Sequence, residues 1–202
     1  MSENEPLSPR QQAEVRHRFA NVFQLLTALT RMRAQRTKDA EAKRQLGAIL
    51  DAVGLIGLFQ QRRLGDDPAD LGGFLQDLAA QWRRRCTGRS IQIDLAAEPV
   101  LAREEVGSAL ALIANELVSN AIAHAFPEDR AGVVRVELRR LDESQAELVV
   151  VDDGQGYDQG AAGAGFGLWL IKGLAQQVRG EMTTTTDGGV RARLTFATQF
   201  DG

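Results

Sequence analysis

Residues 112–126 read Leu112-Ile113-Ala114-Asn115-Glu116-Leu117-Val118-Ser119-Asn120-Ala121-Ile122-Ala123-His124-Ala125-Phe126. The spaced Leu, Ile and Val, with no Gly or Pro before Pro127, predict a helix. On a wheel counted from Val106, Leu110, Ile113 and Leu117 fall near one line, a core-facing stripe. Glu116, Asn120 and His124 recur every fourth residue on that stripe or at its edge. A polar group at the rim of a core costs roughly 1–3 kcal/mol if unsatisfied, so three in a row need partners. A bound ligand would supply them. So would a hydrogen-bonded Asn beside a solvated Glu.

The flanks of this helix read as helices and strands. Leu71, Phe74, Leu75, Leu78 and Trp82 form the buried side of an earlier helix. Ile91-Gln92-Ile93-Asp94-Leu95 and Val134, Val136, Leu138 alternate as strands, and Leu148-Val149-Val150-Val151 is a short apolar strand. A helix is expected over 168–178, and a strand pair around the turn Asp187-Gly188-Gly189. This order suggests an α+β two-layer sandwich over residues 66–202. Two glycine-bearing segments lie between its elements. In Asp152-Asp153-Gly154-Gln155-Gly156, a carboxylate at a strand end can accept from a ligand amine while glycine admits close approach. In Gly160-Ala161-Ala162-Gly163-Ala164-Gly165-Phe166-Gly167, exposed N–H groups before a helix would suit an anion.

Residues 1–65 carry a different pattern. Ser8-Pro9-Arg10-Gln11 looks like a capped helix start, and Val15, Phe19, Val22, Leu26 and Leu29 recur at spacings of four and three. After a break at Thr37-Lys38-Asp39, with Asp39 as cap, Leu46, Ile49, Leu50, Val53 and Ile56 mark a second helix ending near Leu64-Gly65. This is an αα-hairpin, joined to the rest through Gly65-Asp66-Asp67-Pro68. So short a hairpin buries its apolar faces by pairing into a four-helix bundle or by docking on the rest of the chain, and the dimer is favoured. His17 falls opposite the seam with Asn21 and Gln24, between Arg16 and Arg18. A neutral imidazole is a nucleophile at pH 7, and two flanking cations suit an incoming phosphoryl group. An ordinary surface histidine on a basic helix face fits the same residues.

Composition narrows the classes. The chain has 202 residues, 44% apolar and 25% charged, with 24 Lys+Arg against 27 Asp+Glu and a formal charge of −3. That argues against a general nucleic-acid binder. The single Cys86 excludes an internal disulfide and a cysteine metal cluster. The N-terminal residues lack a secretory pattern, and no unbroken apolar run of membrane-spanning length occurs, so no membrane association and a cytoplasmic location are expected.

Taken together, the chain resembles histidine kinases of the HisKA_2 group over roughly residues 10–200. Residues 66–202 resemble the GHKL-type (Bergerat) ATP-binding domain shared with gyrase and MutL. The segment around His17 is similar to that family's phospho-acceptor box, and 115–121 to its N box. Residues 152–156 are similar to its G1 box and 165–168 to its G2 box. The resemblance implies a 1–65 dimerisation and phosphotransfer domain followed by a 66–202 ATP-binding domain, with no sensor domain and a possible separate sensor protein. It implies ATP and Mg²⁺ as cofactors. Asn120 would hold Mg²⁺, with Glu116 assisting and a candidate base. Asp152 would bind the adenine amine, Gly154 and Gly156 would let the nucleotide pack closely, and Gly165 and Gly167 would touch the phosphates. His17 would be autophosphorylated and would pass its phosphoryl group to an aspartate of a response regulator receiver domain. The chain departs from the family pattern at Ala123, where a Lys is usual, at Asp153, Ala20 and Val22, and in a short lid between Gly156 and Gly165. Two alternatives remain open: a phosphotransfer relay whose ATP-like domain is degenerate, and a serine kinase of the anti-sigma type.

Overall fold

The structure, a computed structural model, describes residues 9–61, 68–156 and 166–198. The chain divides into two compact units, residues 1–58 and 59–202. The first holds α1 (Pro9–Arg36) and most of α2 (Ala40–Gln61). The expected break is the three-residue connection 37–39. Thr37 Oγ1 donates to Arg33 O at 2.8 Å, closing the end of α1. Asp39 Oδ1 accepts from the Ala42 amide at 2.7 Å, satisfying one orphan donor at the start of α2. Ser8 and Leu64-Gly65, expected as helix limits, lie outside the described residues.

The second unit is a helical layer on a mixed sheet. It contains β1 (Ala69–Asp70), α3 (Leu71–Arg85), β2 (Ile91–Ala97), β3 (Leu101–Ala102), α4 (Glu104–Asn120), β4 (Gly132–Arg140), β5 (Gln145–Asp152), α5 (Phe166–Gln177), β6 (Glu181–Thr185) and β7 (Val190–Ala197). The five-stranded sheet runs β2-β4-β5-β7-β6, with β2 parallel to β4 and every other neighbour antiparallel. Its period-2 alternation buries Val134, Val136 and Leu138, then Ala146, Leu148 and Val150, then Ala192, Leu194 and Phe196 on one face. Leu75, Leu78 and Trp82 of α3, Leu110 and Ile113 of α4, and Ile171 of α5 complete the core. On the opposite face, fully buried Glu147 pairs with Arg139 and Arg193 from the two neighbouring strands. β1 and β3 form an antiparallel pair of two residues each, too short for alternation to reveal in the sequence.

The segment from Glu104 to Ala125 is long and apolar enough to cross a membrane by length and composition, but 72% of its apolar 18-residue stretch is buried inside the protein. It is the core helix.

Candidate functional site

The helix α4 presents two kinds of polar residue. Asn115 is buried because it serves the core: its Oδ1 accepts from Trp82 Nε1 at 3.1 Å. Glu116 is also buried, while Asn120 is half-buried and His124 is exposed. Leu110 and Ile113 lie in the core as the wheel predicts, but Leu117 is half-buried and lines a cavity. That cavity holds about 350 Å³, and Asn120, His124, Asp152, Gln155, Gly156 and Gly167 are among the residues that line it.

The end of α4 widens into a π-helical turn, Ala121–Ala125. Such turns leave carbonyls without their usual helical partners. The turn after β5 takes two of them: the Gln155 amide donates to Ala125 O and its Nε2 to His124 O, each at 3.0 Å. This approach is possible only because residue 154 is glycine. A Cβ there would stand 2.4 Å from Ala125 Cβ and 2.6 Å from Ala125 O. Gly156 has φ +67°, a backbone region that favours glycine.

Asp152 ends β5 against the cavity and is buried. Its Oδ1 accepts from the Gly154 amide at 3.0 Å and the Val190 amide at 3.3 Å. Burial pushes its carboxyl above the usual range, the two amides oppose that, and neighbouring Asp153 reinforces it. Asp153 itself points elsewhere. Its Oδ1 accepts from the Val133 amide at 2.7 Å at the start of β4, and it does not line the cavity. The added charge expected beside the adenine subsite is therefore held by a backbone amide near the start of β4, from where it still acts on Asp152.

From the other side, α5 brings Gly167 against the polar face of α4. A Cβ on Gly167 would lie 2.9 Å from Glu116 Oε2 and 3.6 Å from Asn120 Nδ2. The fold thus brings Asn120, Asp152, Gly156 and Gly167 onto the wall of one cavity, while Glu116 beside Gly167 and Gly154 beside Ala125 stand next to that wall without lining it. Gly165 lies outside the described residues. His17 lies in α1, within the other compact unit, and its side chain is outside the described residues.

Two participants escape a sequence reading. Gly189 in the β6–β7 turn has φ +132°, and a Cβ there would meet Asp152 O at 2.0 Å, so the turn seats directly on the site strand. Arg89 donates to the Ile122 and Phe126 carbonyls at 2.6 and 3.2 Å, closing the end of α4 from behind.

This cavity, walled by a helix, a strand-end carboxylate and a glycine at the head of a second helix, lies in a fold of the GHKL ATPase type. The family model for the histidine kinase-like ATPase domain matches residues 75–196. The chain belongs to that family. Blue-light-activated histidine kinase 2 of Erythrobacter litoralis is 24% identical over 189 residues, 89% of this chain and 54% of that protein. Sensor histidine kinase PdtaS of Mycobacterium tuberculosis is 30% identical over 157 residues, 73% of this chain and 30% of that protein. The solved histidine kinase domain of the Erythrobacter litoralis EL346 kinase superposes with TM-score 0.70 at 18% identity, covering 88% of this chain and 94% of that one. The chain spans about half, or less, of the length of these two curated relatives.

Proposed function

We propose that the chain is the kinase portion of a two-component sensor histidine kinase. In this reading residues 66–202 bind Mg-ATP, residues 1–65 carry the acceptor His17 and the dimer interface, and a response regulator receiver domain takes the phosphoryl group. Its setting would be cytoplasmic. The observation that carries the proposal is the convergence of Asn120, Asp152 and Gly167 on one cavity, with the Glu116 carboxylate beside Gly167.

The donor set fits the nucleotide and its metal. Buried Asp152 is an acceptor suited to an exocyclic amine, and Leu117, Leu168, Met182 and Val190 offer apolar walls to a base. Among the described residues no group of three or more His, Cys, Asp or Glu could hold a metal ion. Mg²⁺ commonly relies on one or two protein groups plus substrate phosphates, and Asn120 with Glu116 offers that number. Bound Mg-ATP supplies the phosphoryl group and a divalent charge to neutralise it. Asn120 and the backbone at Gly167 would orient the phosphates, and the His17 imidazole nitrogen would take the γ-phosphoryl group as its bond to the β,γ-bridging oxygen breaks and ADP leaves. Glu116 would accept a proton nearby.

The experiment is incubation with labelled ATP and Mg²⁺. Wild type should acquire acid-labile label that His17→Ala and Asn120→Ala both lose. Full labelling of His17→Ala would remove His17 from its role. One observation favours the relay reading: no Lys or Arg lines the cavity, and none occurs in residues 152–167. A thermal shift with Mg-ATP separates the two. A hundredfold excess over Kd should add about 2.7 kcal/mol, and no shift at millimolar ATP would favour the relay.

A further inference from the structure

The outer wall of the cavity is the π-helical turn Ala121–Ala125, of which Ala121, His124 and Ala125 line the space. The carbonyls of this turn and of Phe126 after it accept hydrogen bonds from two sides. Gln155 holds His124 O and Ala125 O from the cavity side, both at 3.0 Å. Arg89, in the loop between α3 and β2, holds Ile122 O at 2.6 Å and Phe126 O at 3.2 Å. Arg89 does not line the cavity.

We infer that Arg89 is a positioning residue of the nucleotide site: by bracketing both ends of the π-helical turn it sets where that wall meets the ligand. The inference rests on the nucleotide reading above. A guanidinium is planar and carries several donors in a fixed fork, so one side chain spans two carbonyls, which an ammonium cannot do with the same geometry. Its charge also lies at a helix C-terminus, where a cation is favoured. Asp129 Oδ1, on an exposed side chain, stands 4.0 Å from Arg89 Nε. The two carbonyls that Arg89 holds flank the two that Gln155 holds, so loss of one grip should weaken the other.

The test uses the full chain with Mg-ADP as probe and two readouts, calorimetric affinity and amide hydrogen exchange. Arg89→Ala should weaken Mg-ADP binding about tenfold. It should also speed exchange across residues 121–126 without changing exchange in β4 and β5. Arg89→Lys should fall between it and wild type. Gln155→Ala combined with Arg89→Ala should depart from additivity in affinity, as side chains coupled through a shared segment do. If Arg89→Ala folds poorly, Arg89→Lys and Gln155→Ala carry the test alone, each expected to show weaker binding with faster exchange in the turn. Affinity unchanged in the Arg89 variants, whatever the exchange does, overturns the assignment and leaves the nucleotide reading intact. Wild type that ignores millimolar Mg-ADP overturns the nucleotide reading and this role with it.

Discussion

At the scale of the residue, Asp152 works against the fold that holds it. Its carboxyl is buried and its pKa is raised, so the native state binds more protons than the unfolded chain just above the ordinary carboxylate pKa. Stability therefore falls as pH rises through that window, and at neutral pH the ionised group is a net cost. An amide keeps an oxygen for the Gly154 and Val190 amides without the charge. Asp152→Asn should melt at the same temperature as wild type or higher, while weakening adenine-nucleotide binding about tenfold or more, since a charged acceptor becomes a donor. Calorimetry for melting and for Mg-ADP binding would check both halves, and a fall in both would mean that Asp152 is structural. That Asp152 and Asn120 face a cavity was legible in the sequence, because polar side chains on an apolar helix and at a strand end mark themselves. Arg89 was not: it serves backbone carbonyls 33 and 37 residues away, which leave no mark in residue identity. Sequence adjacency likewise hides that the Asp153 carboxylate accepts from the Val133 amide near the start of β4.

At the scale of the element, the sheet and the glycines divide the work of stability and site shape. The β6–β7 turn seats on Asp152, and Gly189→Ala would push a Cβ to 2.0 Å from Asp152 O, with φ +132° adding strain. Backbone must shift there, so the variant should lose about 1–3 kcal/mol in denaturant melts and weaken nucleotide binding. Glu147 tests the other face. Burial alone would raise its pKa, but Arg193 and Arg139 outweigh that and hold it below the usual range. Its contribution is present above the unfolded pKa and is lost as pH falls through the lower folded value. Glu147→Gln should cost roughly 2 kcal/mol at pH 7, and less near pH 3, in chemical melts at both values. Periodicity in the sequence located β2, β4, β5 and β7 well. It did not distinguish the core stripe of α4 from its cavity edge: Leu117 falls on the apolar line of the wheel, yet it is half-buried because the cavity opens beside it.

At the scale of the whole molecule, the open question is what covers the first unit. Val22, Leu25, Leu26, Leu29 and Met32 of α1 are each about half exposed or more, at 49–60%. Their spacing is that of a helix seam, which the sequence made visible through Val22, Leu26 and Leu29. Leaving so many large apolar groups in water is unfavourable by about 25 cal/mol per Å², so a partner surface is expected. A second copy of the same helix pair is self-complementary under twofold symmetry and would form the four-helix bundle proposed above. Wild type should therefore sediment as a dimer at micromolar concentration. Leu26→Glu combined with Leu29→Glu places like charges on the seam and should yield a monomer. That monomer should keep the Mg-ADP affinity of wild type, because every cavity residue belongs to the second unit. A wild-type chain that sediments as a monomer across the micromolar range would rule the bundle out. A double variant that remains dimeric would move the interface off this face of α1, and one that loses nucleotide affinity would show that dimerisation and the ATP site are coupled.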